Sequence, residues 1–278
     1  MNAWTAPATG AIIAGCERRG GLVQAGLDMD AVRTALGRIE RAGDFDAAER
    51  GVVAFAAAIG LPVIAWAPDV SRPAFDPQMY GFMQRRGWSE EVLELWWGRA
   101  VMMKSPLYTR CRTRALPFLV DVGRDVSGLM PEARAIHQAL KDMGLAAMIT
   151  VPIHLPRGQV AQLTFGGAMA PDGAAEVLAA ARAELVAAGQ FFMHAVMQAA
   201  GPDIPAEGAR AKLTPKEWEC LRLTAQGHRE AEVADLLAVK PSTVRYHLRN
   251  VEAKLGAATR THAVALAAQL GLLGPISE

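Results

Sequence analysis

The chain has 278 residues, long enough for two domains with sizeable cores, and a formal net charge of +1 at pH 7, which by itself indicates no particular partner. Its three cysteines, Cys16, Cys111 and Cys220, are odd in number and widely spaced, which excludes a disulfide scaffold and a CxxC zinc site. A reducing cytoplasm fits this pattern.

The chain has no stretch of about 18 uninterrupted apolar residues, and no basic segment precedes the apolar residues near its start. We therefore expect a soluble, unexported, cytoplasmic protein with no membrane partner. Residues 1–27 are interpreted as an N-terminal extension, because the first helical pattern begins at residue 28.

Residues 28–200 predict a domain that mixes helices and strands. Amphipathic patterns over 28–43 and 45–60 end in glycine and predict two helices, and LPVIAW predicts a short buried strand. Further helices are expected over about 76–85, over 89–102, and between Pro106 and Pro117.

The second part of this domain predicts a hairpin between two helices. PEARAIHQALKDMG is a helix with proline in its first turn, and the apolar strands LAAMITVPIH and QVAQLTFGG are joined by the turn LPRG. The Ala-rich segment 173–199 predicts one long helix. Residues 201–212 mix proline, glycine and charged residues without periodicity, so we interpret them as a domain linker.

Only short helices are predicted after the linker, in a domain of residues 213–278. LTPKEWECLRLTAQG has Thr214 as a candidate N-cap, Pro215 in the first turn and Gly227 as a terminator. REAEVADLLA, LAVKPSTVRYHLRNVEAKLG and THAVALAAQLG predict the second, third and fourth helices.

The third helix has an apolar stripe and a basic surface. Between residues 240 and 260 there are five Lys or Arg and one acid, Glu252. A solvated face is the ordinary interpretation of such a charge cluster. However, two short helices joined by a tight turn, with a basic second helix, match a helix-turn-helix, whose second helix occupies the major groove. The candidate DNA-binding residues are Lys240, Ser242, Thr243, Arg245, Tyr246, Arg249, Lys254 and Arg260.

These residues resemble the C-terminal DNA-binding domain of the LuxR-type transcription regulators. Glu217, Leu221 and Gly227 occupy the family's positions, and TVRYHLRNVEAKLG followed by TRTHAVALAAQLGLL is similar to its recognition and fourth helices. One departure is Lys240, which replaces a Ser or Thr cap. Lysine accepts no amide hydrogen bond, at a cost of about 1 kcal/mol that Pro241 partly offsets.

The N-terminal half lacks the paired acids of a phosphoacceptor receiver. KSPLYTRCRTRALPF (104–118) and LAAMITVPIHLPRGQVAQLTFGG (145–167) instead resemble the autoinducer-binding domain of the quorum-sensing branch. The resemblance implies an α+β protein: an α/β/α sandwich sensor domain, which holds an acyl-homoserine lactone between sheet and helices in the family, followed by the four-helix DNA-binding domain.

At the positions of the family's ligand contacts, this chain has different residues. Ser105 replaces an Asp that accepts the ligand's amide proton, and Val92 replaces a Trp that donates to the lactone carbonyl. Each lost hydrogen bond costs roughly 1–3 kcal/mol, so we expect ordinary acyl-homoserine lactones to bind poorly. The candidate ligand-binding residues implied by the resemblance are Trp88, Val92, Trp96, Ser105, Val120 and Thr164. The alternative interpretations are core tryptophans and a serine that caps a helix.

Two functions remain open from the sequence. The first is a dimeric transcription regulator on an inverted-repeat promoter site, with an N-terminal domain that senses a small apolar signal other than an ordinary lactone. The second is a ligand-independent (orphan) regulator whose N-terminal domain binds an antiactivator or partner protein. An enzyme is disfavoured because no catalytic motif such as GxSxG is present, and no cofactor or metal is expected, since the histidines lack metal-like spacing.

Overall fold

A computed structural model describes residues 26–70, 77–86, 88, 90–97, 105–124, 131–200 and 213–273. The chain divides into two compact units, residues 1–154 with 159–199 and residues 155–158 with 200–278. The predicted linker 201–212 and residues 1–25 of the predicted extension lie outside the described residues, so the domain limits stay predictions. Within the described ranges, no helix has the length and apolar character needed to cross a bilayer.

The N-terminal unit consists of one antiparallel sheet and the helices that pack against it. Its strands run in the order β1-β4-β3-β2, and the predicted hairpin is confirmed as β3 paired with β4. The elements are α1 (Met29–Glu40), α2 (Phe45–Ala58), β1 (Val63–Ala67), α3 (Pro77–Gln84), α4 (Glu90–Trp97), α5 (Pro106–Thr113), β2 (Phe118–Asp121), α6 (Pro131–Asp142), β3 (Ala147–His154), β4 (Val160–Gly167), α7 (Pro171–Ala180) and α8 (Arg182–Ala200).

Three predictions for this unit are corrected or limited. The sequence predicted no strand after Pro117, yet β2 forms there as an edge strand of four residues, too short to show alternation. The single helix predicted over 173–199 is two helices, because Ala181 leaves helical geometry at φ −113° and ψ 25°. Alanine is the best helix former, so the sequence carried no signal for this break. The helix predicted over 89–102 is α4, and residues 98–102 lie outside the described part.

One face of the sheet, the aromatic face, is filled by large side chains. Helix α2 contacts this face, where the ring centroids of Phe55 in α2 and Phe165 in β4 lie 5.5 Å apart. Helix α8 approaches closely at Gly189, where an added Cβ would lie 2.9 Å from Cγ1 of Val151. The strand residues of this face include Ile64, Trp66, Ile149, Val151, Leu163 and Phe165.

The opposite face, the small-residue face, carries small or polar side chains on β1 and β4, and the larger Phe118, Val120 and Met148 lie toward its β2 edge. Helix α5 packs against β3 and β4 on this side, with Tyr108 and Cys111 buried. The Arg110 guanidinium lies 4.0 Å from the centroid of the Phe118 ring of β2. Helices therefore cover both faces, as the expected sandwich requires. The strand residues of this face include Ala65, Ala67, Thr150, Pro152, Gln162 and Thr164.

The C-terminal unit consists of the four predicted helices. Its elements are α9 (Pro215–Ala225), α10 (Glu230–Leu236), α11 (Pro241–Leu255) and α12 (Arg260–Gln269). The predicted apolar stripe of α11 is buried and consists of Val244, Leu248, Val251 and Leu255. Thr214 caps α9 in a reciprocal capping box with Glu217. Gly256 ends α11 at φ 64°, a left-handed conformation that glycine adopts without a steric penalty.

Candidate DNA-binding surface and ligand-binding face

Helices α10 and α11 form the helix-turn-helix. Their buried sides meet at Val233 and Ala234 of α10 and at Val244 and Leu248 of α11. The turn between them contains Ala238 at φ 51°, an uncommon conformation for a residue with a Cβ. Because the stripe faces this core, the other side of α11 is left at the surface of the unit.

The predicted DNA-binding residues lie on this outer side or at its ends. Tyr246 is 62% exposed although it is aromatic, and Thr243 is half-buried. Lys240 is the N-cap residue of α11 and makes no side-chain capping bond, as predicted. The exposed members of the set are Lys240, Ser242, Arg245, Tyr246, Arg249 and Lys254.

Two of the predicted basic residues share one acid, Glu230, at the start of α10. Arg245 Nη2 lies 2.7 Å from Glu230 Oε1, and Arg260 Nη2 lies 2.9 Å from Glu230 Oε2. Burial acts to raise the pKa of Glu230, but the two guanidinium groups outweigh it and hold that pKa below its ordinary value. Glu230 therefore links α10, α11 and α12, and it partly neutralises both arginines. The sequence analysis did not single out this residue.

A third basic residue, Lys254, has a partner inside the unit. Its Nζ lies 2.6 Å from Oε2 of Glu217, whose side chain is only 4% exposed. The same carboxylate accepts a hydrogen bond from the Thr214 amide N–H at 2.7 Å. Burial acts to raise the pKa of Glu217, but Lys254 and Thr214 outweigh it and hold that pKa low. Lys254 thus neutralises a buried acid, a contribution that the sequence analysis did not assign to it.

Lys240 and Arg249 differ from these three basic residues. Among the described residues the structure gives neither of them an ion pair, and both are exposed. Their charges are therefore the least compensated of the predicted set.

The small-residue face of the N-terminal unit buries a chain of neutral polar groups. The hydroxyls of Thr150 and Thr164 form a hydrogen bond of 3.0 Å, and the Thr164 hydroxyl also lies 3.4 Å from Oε1 of Gln162. The thiol of Cys111 donates to the same Oε1 at 3.9 Å. Burial raises the pKa of Cys111 to about 12, so the thiol carries no charge at neutral pH. These four residues are called the polar ladder below.

The sequence analysis found one member of the polar ladder, Thr164. It missed Thr150, Gln162 and Cys111. Polar residues two positions apart in the otherwise apolar strand QVAQLTFGG were the available signal, because alternate residues of a strand share a face.

The other predicted ligand contacts occupy separate places. Trp88 is buried and its indole N–H donates to the Ile64 carbonyl of edge strand β1 at 3.1 Å. Val92 is buried in α4, and the side chain of Trp96 lies outside the described part. Ser105 is the N-cap residue of α5, but its side chain makes no capping hydrogen bond. Its hydroxyl therefore does not cap the helix.

Val120 lies at the opposite edge of the sheet, in β2, where it pairs with Met148. It is half-buried and lines an open groove of about 510 Å³. Because β1 and β2 are opposite edges of the sheet, Trp88, which bonds to β1, and Val120 of β2 are not brought together. The groove is lined by Arg110, Arg114, Leu119, Val120, Asp121 and Arg124.

A helix-turn-helix unit joined to a sheet domain of this kind defines a two-domain DNA-binding regulator. Residues 211–267 match the family described as bacterial regulatory proteins, luxR family, and residues 45–196 match the autoinducer binding domain. The chain therefore belongs to the LuxR family of quorum-sensing transcription regulators, which are not enzymes.

Two curated relatives give the level of similarity. The quorum sensing-dependent transcriptional regulator RpaR of Rhodopseudomonas palustris is 29% identical over 192 residues, which cover 67% of this chain and 73% of RpaR. The transcriptional activator AhyR of Aeromonas hydrophila is 27% identical over 173 residues, which cover 62% of each protein. The chain thus spans less than two thirds of the length of AhyR.

The fold is similar to that of Escherichia coli SdiA. That structure covers 88% of this chain and 98% of its own, with a TM-score of 0.56 at 19% identity. A structure of SdiA in complex with octanoyl-rac-glycerol is similar to the same extent, with a TM-score of 0.55. At this identity the likeness establishes the fold.

Proposed function

We propose that this chain is a cytoplasmic, dimeric regulator that binds an inverted-repeat promoter site and senses a small apolar molecule with a neutral polar head. The molecule would bind on the small-residue face of the N-terminal unit and would not be an ordinary acyl-homoserine lactone. The observation that carries the proposal is the polar ladder, which is buried on the small-residue face of the sheet.

The asymmetry between the two sheet faces supports a ligand on one of them. Interiors are close-packed, and the aromatic face reaches that state with its own rings. The small-residue face carries Ala65 and Ala67 opposite the ladder residues Thr164 and Gln162. A binding site for a small molecule combines apolar lining with a few placed polar groups, which is the composition found here.

The chemistry of the ladder favours a neutral head group. An ionised ligand would need a counter-charge when buried. The ladder consists of hydroxyl, amide and protonated thiol groups. By the family resemblance, Ser105 replaces an Asp that would supply charge. SdiA is described in complex with octanoyl-rac-glycerol, an uncharged ester with an apolar tail. A ligand of that class would suit the ladder better than a lactone whose amide requires a carboxylate acceptor.

Thermal unfolding with added ligands tests the sensing function. A ligand present at 100 times its Kd stabilises the folded protein by about 2.7 kcal/mol. We expect octanoyl glycerol to raise the melting temperature of the full chain and a C6 to C12 lactone series to raise it little. Sub-micromolar lactone affinity would contradict the proposed head-group preference. If no compound stabilised the protein, the orphan regulator with an antiactivator or partner protein would be the better hypothesis.

On the DNA-binding unit, we assign different contacts to the basic residues. Arg249 and Tyr246, exposed on the outer side of α11, would reach base edges, and Lys240 would contact a phosphate. Arg245 and Arg260 would bind DNA only in competition with Glu230. Selection from a random DNA library tests this: Arg249→Ala should relax the preference at one base pair, whereas an unchanged motif would assign Arg249 to a phosphate.

A further inference from the structure

We infer that Gln162 determines which ligand head group the N-terminal unit accepts, by donating a hydrogen bond from its side-chain amide to a neutral oxygen of the ligand, such as an ester or ketone carbonyl. The inference rests on the proposed sensing function and identifies the donor atom within that site.

The first argument is the hydrogen bonding of Gln162 itself. The residue is 0% exposed, and its Oε1 is the acceptor for the Thr164 hydroxyl and the Cys111 thiol. Its Nε2 is buried and has no hydrogen-bond partner among the described residues. Buried amide groups are nearly always paired, because an unpaired donor gives up its water without compensation. The unpaired Nε2–H bonds are therefore available to an acceptor that the described residues do not supply.

The second argument is the size of the cross-strand neighbours of this donor. Gln162 pairs across the sheet with Ala67 on β1 and Pro152 on β3, which present little bulk and no side-chain donor or acceptor. The indole N–H of Trp66 is also buried and has no hydrogen-bond partner among the described residues, but it lies on the aromatic face, where the centroids of three phenylalanine rings lie 5.7–6.1 Å from that of Trp66. Large rings therefore surround Trp66, whereas the cross-strand neighbours of Gln162 are small.

The third argument is charge. The nearest basic residues on α5 have other contacts: Arg110 donates to the Leu119 carbonyl and stacks on Phe118, and Arg112 donates to the Val70 carbonyl. Both guanidinium groups act on the Cys111 thiol, but burial outweighs them and keeps the thiol neutral. The hydrogen bonds given for the ladder join only neutral groups. An uncharged carbonyl oxygen is the acceptor that this environment tolerates.

The test compares two probes that differ in one carbonyl, octanoyl glycerol and the corresponding octyl glyceryl ether, by calorimetric titration of the full-length protein. In the wild-type protein the ester should bind roughly 10-fold more tightly than the ether, the value of about one neutral hydrogen bond. In Gln162→Met, which keeps the length of the side chain and removes the donor, the ratio should fall to about 2-fold or less. Gln162→Leu provides a second variant with the same expected ratio.

Gln159→Met is the matched control. Gln159 directly precedes β4, and its Nε2 donates to the Pro68 carbonyl at 2.7 Å. Its replacement should lower the melting temperature and leave the ester-to-ether ratio unchanged. If the Gln162 variants fold and retain the wild-type ratio, Gln162 is only structural and the inference is wrong, while the sensing function stands. If neither probe binds the wild-type protein, the sensing function fails and the inference fails with it.

Discussion

In the C-terminal unit, one buried and one half-buried carboxylate at the helix junctions are neutralised by the chain's own basic residues, whereas the N-terminal sheet buries neutral groups that bond to one another. Glu217 is paired with Lys254, and Glu230 with Arg245 and Arg260. The polar ladder has no such charges, and the amide nitrogen of Gln162 has no hydrogen-bond partner in the described part of the chain.

The difference indicates how each unit meets its partner. The helical unit neutralises these acids with its own basic residues and leaves Lys240 and Arg249 exposed, where the proposed function has them contact DNA. The sheet unit buries its polar groups, where the proposed function has one of them bind a ligand. Under that proposal, one unit would bind through its surface and the other through its interior.

The largest expected effect tests whether one DNA-binding unit alone can bind DNA as tightly as the full chain. A fragment of residues 209–278 should bind a palindromic site about 100-fold more weakly than the full chain, because a dimer engages two half-sites at once. Fluorescence anisotropy at one fixed salt concentration measures both affinities, since phosphate contacts make affinity depend on ionic strength. Equal affinity of fragment and full chain would rule out the dimer.

Lys254→Met tests the ion pair between Lys254 and buried Glu217 in the C-terminal unit. Removing one partner of a fully buried ion pair lowers the free energy of unfolding by about 3–5 kcal/mol. We expect a loss of about 2 kcal/mol here, because the Lys254 side chain is 36% exposed. Urea denaturation gives the free energy of unfolding.

Two controls interpret that result. Arg249→Met removes an exposed charge of the same helix and should leave stability within about 0.5 kcal/mol of wild type. The double variant Glu217→Gln with Lys254→Met should recover part of the loss, because no buried charge is left unpaired. A Lys254→Met protein as stable as the wild type, with weaker binding to every DNA site, would indicate that Lys254 contacts a phosphate and does not stabilise the unit.

The two units should lose stability at opposite ends of the pH scale. The pKa values of Glu217 and Glu230 are lowered by folding, so their stabilisation is present above the unfolded value of about 4.3 and is lost as pH falls through the folded values. The pKa of Cys111 is raised to about 12, so its contribution is present below about 8.5 and is lost as pH rises, at about 1.4 kcal/mol per unit.

Urea denaturation across pH, followed by probes in each unit, measures these slopes. Cys111→Ala should reduce the pH dependence of the free energy of unfolding of the N-terminal unit at alkaline pH. Glu217→Gln should reduce that of the C-terminal unit at acid pH. An alkaline slope that persists in Cys111→Ala would show that other groups control stability there.

The smallest expected effect separates stability from binding at one residue. Lys240→Ser supplies an N-cap acceptor for α11 and should stabilise the protein by about 1 kcal/mol. The same change removes an exposed positive charge and should weaken binding to all DNA sequences alike. Stability and affinity that rise together would mean that Lys240 does not contact a phosphate.

Local patterns predicted most of the helical unit. The stripe from Val244 to Leu255 and the Thr214 cap were readable because a helix places such residues at fixed spacing within one turn or two. The break at Ala181 and the strand β2 were not readable, because alanine favours either helix and four residues are too few for a period.

The sequence by itself determined the two kinds of unit, the helix-turn-helix and the basic outer side of α11, because these depend on neighbours along the chain. Only the tertiary structure brought together Glu217 with Lys254, Glu230 with Arg260, and Cys111 with Gln162. These partners are 30 to 51 residues apart in sequence. Hydropathy periods specify which side of an element is buried but not which polar group it meets there, and the packing of separate elements decides those contacts.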